Sequence, residues 1–374
     1  MQNKTRSFQE VRFIDNQKEK NIFFATLRQR VDGYFKENKL SKHHNSQMIV
    51  KTIVLLSAYI LPFVALLMFQ PVIGISLGIW TIMGFAKAGI GMSIMHDANH
   101  GAYSLSSKTN KWVGYTINLV GGSVFTWKLQ HNFLHHTYTN IVNMDNDIDD
   151  KLVMRFSPHT KIKWYQKFQF IYSFLFYGLL TLYWTLAKDF VQFHKYTKEG
   201  VNKGTRAQNK TVLIKLILSK VVYFLVFFVL PMVVLQMPVV EFVLGYLLMQ
   251  FIAGVVLTVI FQLAHTVEET SHPLPDENLN IQNNWAIHQM NTTVNFSRRS
   301  KLISWYVGGL NFQVEHHLFP AICHVHYPEI AHIVKRTAEE FGIPYLENIT
   351  FMEALRSHIR VLQKFGTPAE ISFG

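Results

Sequence analysis

The chain has 374 residues, of which 49% are hydrophobic, 14% aromatic and only 16% charged, and its mean hydropathy is +0.12. This composition excludes an ordinary soluble domain and indicates a polytopic, all-α integral membrane protein. The formal charge of +12 does not indicate nucleic-acid binding, because the basic residues lie in loops beside apolar segments without an RNP, zinc-finger or basic-zipper pattern. The single cysteine, Cys323, excludes an intramolecular disulfide framework.

Four segments are long enough to cross a bilayer, whose hydrocarbon core of about 30 Å requires about 20 apolar residues. They are residues 52–70, 72–95, 213–236 and 239–264. Tight turns at Pro71 and Pro238 join the members of each pair, so the sequence predicts two transmembrane hairpins.

A fifth apolar stretch, residues 168–187, is predicted to lie at the membrane interface or to re-enter the membrane. Both of its flanks are basic and therefore favour the cytoplasm, whereas a single crossing would separate them. The flanking charges are Lys151, Arg155, Lys161, Lys163, Lys167, Lys188, Lys195, Lys198, Lys203, Arg206, Lys210 and Lys215. Both termini are then predicted to be cytoplasmic.

Lys87 is the first charge of the second predicted span. We expect its amine to reach the membrane boundary, because a charge at the bilayer centre costs about 2.5–3.5 kcal/mol. His96 follows about 13 Å further along a helix that rises 1.5 Å per residue. The second and fourth predicted helices are therefore expected to extend into the cytosol and to carry histidines above the bilayer.

The 18 histidines of the chain include three clusters, all predicted to lie on the cytoplasmic side. The clusters are HDANH, HNFLHH and QVEHH, with His265 at the end of the fourth span, and together they supply His96, His100, His131, His135, His136, His265, His316 and His317. Histidines four residues apart share a helix face, whereas adjacent ones diverge by about 100° and can serve two metal ions. Because eight imidazoles exceed the ligand number of one ion, the pattern predicts a dinuclear centre in a histidine-rich cap.

These three clusters, in this order between two predicted hairpins, resemble the histidine boxes of the membrane fatty acid desaturases. The glutamine of QVEHH is typical of the front-end group, and HTYTN at 136–140 and WAIHQMNTT at 285–293 extend the resemblance over about residues 50–335. It implies a di-iron enzyme that uses O2 and two electrons to insert a cis double bond into a fatty acyl chain, as CoA ester or lipid. In front-end enzymes the new bond lies between an existing double bond and the carboxyl end.

The resemblance also implies that the eight boxed histidines are the iron ligands, with His265 as the extra ligand at the end of the fourth helix. The chemistry agrees, because an unactivated methylene requires a strongly oxidising metal site rather than an acid–base pair. Gln313 is predicted to be a weak ligand or a supporting residue. Asp97, Glu268 and Glu269 are candidates to accept hydrogen bonds from ligating histidines.

The remaining histidines are given structural roles, with ligand-supporting roles also open for three of them near the third box. The structural group is His43, His44, His159, His194, His272, His332 and His358, and the three nearer ones are His288, His324 and His326. The acidic run MDNDIDD at 144–150 lacks the glycine and glutamate of a calcium loop, so it is predicted to be a solvated or ligand-supporting cluster.

The sequence contains neither a GxGxxG dinucleotide motif nor the HPGG haem motif of a cytochrome b5 domain. We therefore expect electrons from a separate ferredoxin or cytochrome b5-type protein and its reductase, with an acidic carrier complementing the basic cytoplasmic face. Residues 49–335 are predicted to form the desaturase domain, between cytoplasmic segments 1–48 and 336–374. A di-iron hydroxylase or ketolase is the nearest alternative, and a metal transporter is a more distant one.

Overall fold

The computed structural model describes residues 8–14, 22–148, 153–234 and 238–367. They are mostly helical and divide into two compact units. Unit 1 contains Phe8 and the ranges His44–Leu129 and Leu175–Thr258, and unit 2 contains Gln9–His43, Gln130–Phe174 and Val259–Gly374. The predicted third-span end at 235–236, Asp149, Asp150 and Lys151 lie outside the described residues.

The α-helices follow in chain order. They are α1 (Phe23–Glu37), α2 (Ser46–Phe69), α3 (Ile73–Gly89), α4 (Met95–His100), α5 (Ser107–Gly114), α6 (Ile117–Val120), α7 (Val124–Trp127), α8 (His136–Tyr138), α9 (Gln169–Gly178), α10 (Leu180–Tyr183), α11 (Asp189–Glu199), α12 (Arg206–Phe224), α13 (Leu230–Val234), α14 (Val239–His265), α15 (Trp285–Thr292), α16 (Lys301–Tyr306), α17 (Gln313–Leu318), α18 (Tyr327–Glu340) and α19 (Phe351–Gly366).

Short irregular helices and two small parallel sheets complete the described chain. The π-helical segments are Ile90–Ile94, Lys128–His135, Trp184–Lys188 and Leu225–Val229, and the 3-10 turns are Trp164–Phe168 and His324–His326. Strand β1 (Arg12–Phe13) pairs with β2 (Asn280–Ile281), and β3 (Asn295–Phe296) pairs with β4 (Glu347–Asn348).

Four helical segments are long and apolar enough to cross a membrane, as the sequence predicts. They are Ser46–Phe69, Ile73–His100, Arg206–Val234 and Val239–His265. Leu61 and Phe69 on the first are 64% and 75% exposed, which suits side chains that face lipid. The second segment, Ile73–His100, contains the whole first histidine box at its end, and the fourth ends at His265, so both place histidines at helix ends.

The fifth apolar stretch is broken rather than straight. Trp164–Gly178 and Leu180–Glu199 meet at an angle of 48°, and they would provide a fifth crossing only if the bent pair counted as one span. The interfacial or re-entrant path of this stretch stays a prediction.

The expected position of Lys87 is wrong. Its side chain is fully buried within unit 1, where Nζ donates to Gln250 Oε1 at 2.7 Å and to the Tyr223 hydroxyl at 3.1 Å. Gln250 Nε2 also lies 2.7 Å from the Tyr246 hydroxyl. Because polar partners on two other helices satisfy the amine, Lys87 does not need to reach the membrane boundary.

The hydrophobic core of unit 2 supports the third histidine box. Helix α1 contributes Phe23, Leu27, Val31 and Phe35, spaced four residues apart along one face. These residues belong to one buried cluster with Val314 and with apolar residues of α15, α17 and α18. A helix that is apolar on one face is stabilised by burying that face. Because Val314 and Leu318 of α17 are part of this core, the core holds in place the helix that carries His316 and His317.

Candidate metal centre

The first histidine box lies in unit 1. His96 and His100 are both on α4, and their ring centroids are 4.7 Å apart, as expected for residues one helical turn apart. Both rings contact the indole of Trp127, at 5.7 and 5.5 Å between centroids. The pair therefore presents two imidazoles to one small volume.

The second box lies in a π-helix, Lys128–His135, rather than in the α-helix that the spacing argument assumed. A π-helix joins residues five apart, and the Nε2 atoms of His131 and His136 are accordingly only 3.3 Å apart. His131 also stacks on His135, with ring centroids 5.3 Å apart. All three histidines of this box lie in unit 2, and π-helical turns frequently occur at functional sites.

Two overlapping histidine groups form inside unit 2. His135, His265 and His317 form one, and His136, His316 and His317 form the other; within each group, one ligand atom per residue lies within 4.8 Å of the others. All five side chains are buried. His316 and His317, the adjacent histidines of α17, both belong to the second group, and His317 belongs to the first group as well. The division of this doublet between two metal ions stays a prediction.

A second residue contacts the Nδ1 atom of four of these imidazoles. His135 Nδ1 lies 3.0 Å from Asp145 Oδ2, His265 Nδ1 lies 3.3 Å from the carbonyl of Thr292, His316 Nδ1 lies 3.2 Å from the Tyr327 hydroxyl, and His317 Nδ1 lies 2.8 Å from Gln289 Oε1. Such contacts fix ring orientation and leave Nε2 of each ring as the available ligand atom.

The donor set fits a bound transition metal. Nε2 of His135 and Nε2 of His265 are buried and have no hydrogen-bond partner among the described residues. A buried polar atom without a partner is costly, and a metal ion would satisfy both nitrogens. Neutral imidazole nitrogen is a preferred ligand of iron, copper and zinc, so the residues fit the metal that the sequence predicts.

Electrostatics around His135 favour its contact with Asp145. Burial lowers the pKa of His135, but the buried Asp145 carboxylate outweighs this effect and raises the pKa. Burial raises the pKa of Asp145, yet His135 and backbone N–H donors, including that of Asn140 at 3.1 Å, bring it below its ordinary value. A charged carboxylate at Nδ1 increases the basicity of the opposite ring nitrogen.

Glu315 anchors α17 through buried hydrogen bonds. Its carboxylate accepts from Asn295 Nδ2 at 2.9 Å and from the Tyr345 hydroxyl at 2.8 Å. Burial raises the pKa of Glu315 to about 6, against these hydrogen bonds. Asn295 Oδ1 also accepts from the backbone N–H of Val314 at 2.9 Å, so both ends of the asparagine hold the helix.

Gln313 is the first residue of α17 and is buried in unit 2. Its Oε1 has no hydrogen-bond partner among the described residues, and its side chain lies within hydrogen-bonding reach of His265. This position agrees with the predicted role of a weak ligand or supporting residue, which stays a prediction.

Three predicted partners of the histidines differ in position. Asp97 Oδ1 lies 3.7 Å from His96 Nδ1, beyond hydrogen-bond distance. Glu268 instead pairs with Arg360 at 2.6 Å, and Glu269 accepts from Ser357 at 3.1 Å. Among the described residues, the structure does not bring either glutamate to a boxed histidine, because the chain turns them toward α19.

Several histidines given structural roles have such contacts. His44 Nδ1 lies 2.7 Å from the carbonyl of Tyr103, His159 Nε2 lies 2.6 Å from the carbonyl of His272, and His358 Nδ1 lies 2.8 Å from the carbonyl of Thr266.

The three histidines near the third box are buried. His326 Nε2 lies 2.9 Å from the carbonyl of His43, a structural contact. His288 packs against Phe13, with ring centroids 5.0 Å apart, and burial lowers its pKa to about 4. His324 lies in the 3-10 turn before α18.

Sequence reasoning missed Gln289 and Tyr327, and it identified Asp145 only as a member of the acidic run. Gln289 lies within WAIHQMNTT, so this motif indicates the segment but does not single out the glutamine. Asp147 completes the described part of the run, where it accepts from Gln130 Nε2.

Comparisons with known proteins agree with this site. Residues 71–348 match the family model described as "Fatty acid desaturase". The chain is 36% identical to the sn-1 linoleoyl-lipid 6-desaturase of Arthrospira platensis, covering 93% of this chain and 94% of that protein. It is 36% identical to the acyl-lipid (8-3)-desaturase of Physcomitrium patens, covering 93% of this chain and 72% of that protein. It is 30% identical to a probable Delta(5) fatty acid desaturase of Dictyostelium discoideum, covering 93% of this chain and 77% of that protein.

Proposed function

This chain belongs to the fatty acid desaturase family, and we propose that it is an O2-dependent acyl desaturase that inserts a cis double bond into a fatty acyl chain. The observation that carries the proposal is the pair of buried histidine groups in unit 2, which meet at His317. In each group, the Nδ1 atom of one imidazole contacts a side chain outside the group: His135 contacts Asp145, and His317 contacts Gln289. The Nε2 atom of the same ring is then the nitrogen that can bind a metal. This arrangement suits two metal ions and a redox reaction.

We assign both metals as iron. Six of the proposed ligands lie in unit 2, and the histidine-box pattern adds His96 and His100 of unit 1. The full set is His96, His100, His131, His135, His136, His265, His316 and His317. Iron held there would supply, with O2, the oxidising power to remove two hydrogens from an unactivated methylene pair.

The chain's own residues have three tasks in this reaction. Asp145, Gln289 and Tyr327 orient the ligating imidazoles through their Nδ1 atoms. The buried surroundings exclude bulk water from the histidine groups. Gln313 adds a buried amide oxygen that can hold a water molecule or bind a metal weakly.

The substrate class follows from the relatives. One is named a linoleoyl-lipid 6-desaturase, another an acyl-lipid (8-3)-desaturase and a third a Delta(5) desaturase. By analogy, this chain acts on an unsaturated acyl group and places the new bond between an existing double bond and the carboxyl end. An acyl-lipid is the preferred substrate over an acyl-CoA, since the two most detailed names specify lipid-linked chains.

Topology and electron supply complete the proposal. The membrane protein has residues 49–335 as its desaturase domain, with the metal centre and both termini on the cytoplasmic side, because basic loops favour that side. Its four spans form two hairpins. A ferredoxin or a cytochrome b5-type protein, kept reduced by its reductase, donates the two electrons, and its acidic surface complements a chain of net charge +12.

The test is fatty acid analysis of a host that expresses the full chain. Saturated, mono-unsaturated and di-unsaturated acids are fed in parallel, and products are separated by gas chromatography with mass spectrometry. We expect a new cis double bond on the carboxyl side of an existing one, and its absence in a His316→Ala, His317→Ala double variant. Hydroxylated or keto products in place of a new double bond would refute desaturation. No product from a chain that binds no iron would refute the di-iron centre as well.

A further inference from the structure

We infer that Gln289 is a positioning residue that fixes the protonation form of His317 and links the second histidine box to the third. The inference rests on the proposed metal centre but concerns a residue outside the boxes. Gln289 lies on α15, is fully buried and contacts both boxes within unit 2. Its role follows from which of its two amide atoms faces each neighbour.

The amide nitrogen of Gln289 faces the second box. Nε2 donates to the backbone carbonyl of His136 at 3.2 Å, and Trp285 Nε1 donates to the same carbonyl at 3.1 Å. A carbonyl oxygen can only accept, so the nitrogen of the glutamine must occupy this side. The orientation of the amide is therefore determined by its contacts rather than by its shape.

The amide oxygen consequently faces the third box. Oε1 lies 2.8 Å from His317 Nδ1 and 2.9 Å from the Thr139 hydroxyl. An amide oxygen can only accept, so Nδ1 of His317 must carry the proton. Nε2 of the neutral ring is then the unprotonated nitrogen, which is the form that binds a metal.

This arrangement has a consequence for both histidine groups. His317 belongs to each of them, and His136, whose backbone carbonyl accepts from Gln289, belongs to one. Gln289 is nearer to Nδ1 of the shared histidine than the Thr139 hydroxyl, which lies at 3.4 Å, and it also joins that histidine to the second box. Loss of the acceptor would allow His317 to carry its proton on Nε2 and so to lose its metal-binding form.

Metal titration tests this role without requiring activity. The metal-free full chain, purified in detergent, is titrated with cobalt(II), and binding is followed by the visible absorption of the bound ion. Gln289→Met keeps nearly the same shape but removes the strong acceptor, and we expect about 10–100-fold weaker cobalt binding, the usual cost of losing such a contact. Gln289→Glu keeps an acceptor at Nδ1 but replaces the donor to the His136 carbonyl with a second acceptor, so it should lose less affinity than Gln289→Met without matching the unchanged chain.

Gln169→Met is the matched control. Gln169 is a fully buried glutamine of unit 2. Within the described part of the chain, its amide hydrogen-bonds to backbone groups: the N–H and carbonyl of Arg155 at 2.9 and 3.1 Å and the carbonyl of Leu362 at 2.8 Å. We expect this variant to lower thermal stability while keeping the cobalt spectrum and affinity of the unchanged protein.

The outcomes separate the two ideas. An unchanged chain that binds no cobalt contradicts the proposed metal centre itself. An unchanged chain that binds two cobalt ions, together with a Gln289→Met variant of equal affinity and spectrum, overturns the positioning role alone. If Gln289→Met does not fold, Gln289→Glu decides: partly retained affinity supports the acceptor role, and a spectrum and affinity as poor as those of a histidine-box variant overturn it.

Discussion

His135 and Asp145 form a buried imidazole–carboxylate pair, with Nδ1 and Oδ2 3.0 Å apart. Asp145→Asn keeps the size of the side chain but removes the charge that stabilises Nδ1–H and makes Nε2 more basic. We expect iron affinity to fall about 10–100-fold, the usual effect of losing such a partner. Competition with a chelator on the purified chain measures this change.

Asp32→Asn is the control for that prediction. Asp32 also lies in unit 2, but it forms an exposed pair with Lys42 at 2.6 Å and contacts no boxed histidine among the described residues. Its variant should bind iron normally, since exposed ion pairs contribute little. Equal iron affinity in the Asp145→Asn variant and the unchanged chain would contradict the supporting role of Asp145.

A second prediction concerns the buried network of Lys87 and Gln250 in unit 1. Gln250→Leu leaves the Lys87 amine with the Tyr223 hydroxyl as its partner among the described residues, so it should destabilise the chain by about 1–3 kcal/mol. Lys87→Met should cost less, because it removes the buried amine together with its requirement for partners. Unfolding of the purified chain in detergent measures both.

The double variant is the internal control of this pair. Its destabilisation should be smaller than the sum of the two single effects, because the Gln250 change costs most when the amine is present. Strict additivity would show that Lys87 and Gln250 do not depend on each other.

The sequence could predict the elements that depend on local patterns. Hydropathy located the four long helices within a few residues, and the spacing of His96 and His100 predicted their shared face. It could not place Lys87, because its partners Tyr223 and Gln250 are 136 and 163 residues away along the chain. The burial of an amine depends on which helices pack together, and single-helix hydropathy contains no such information.

The same limit applies to the candidate site. Histidine boxes are visible as motifs, whereas Gln289 and Tyr327 resemble many other residues until the fold brings them to Nδ1 of His317 and His316. Glu268 and Glu269 follow His265 closely in sequence, yet they contact Arg360 and Ser357. The chain turns after α14, so proximity in sequence did not become proximity to the imidazoles.

A third prediction follows from His358, a buried histidine of unit 2 whose Nδ1 contacts the carbonyl of Thr266. Burial lowers its pKa from 6.5 to about 4. The unfolded chain therefore takes up a proton as the pH falls through 6.5, whereas the folded chain does so only near pH 4. The contribution of His358 to the free energy of unfolding is therefore intact above pH 6.5. It declines between pH 6.5 and pH 4, by about 3 kcal/mol in total.

His358→Gln tests this linkage. The variant removes the titrating group, so the difference in unfolding free energy between pH 7 and pH 4.5 should be smaller than in the unchanged chain. His332→Gln, at an exposed position, should leave that difference as it is. Identical pH dependence in the His358→Gln variant and the unchanged chain would exclude a contribution from this residue.

A fourth prediction concerns the electron donor. If an acidic carrier docks on the basic chain, its kcat/KM in the desaturation assay should fall as salt rises from about 0.01 to 0.15 M, where the Debye length shortens from about 30 to about 8 Å. A small uncharged reductant that needs no docking serves as the control and should show no such decline. Rates with the carrier that are indifferent to salt would contradict electrostatic docking.

The last prediction addresses Gln313, where a histidine would complete a third box of three imidazoles. Its buried Oε1 lacks a hydrogen-bond partner among the described residues, while the ligand histidines nearby do not depend on it for their Nδ1 contacts. Gln313→Ala should therefore lower turnover more than it lowers iron content. Gln282→Ala, at an exposed position of unit 2, should change neither quantity. Iron per chain and turnover are measured on the same preparation. Two irons with undiminished turnover would show that the amide has no part in the reaction. A loss of iron equal to the loss of turnover would instead make Gln313 a full ligand.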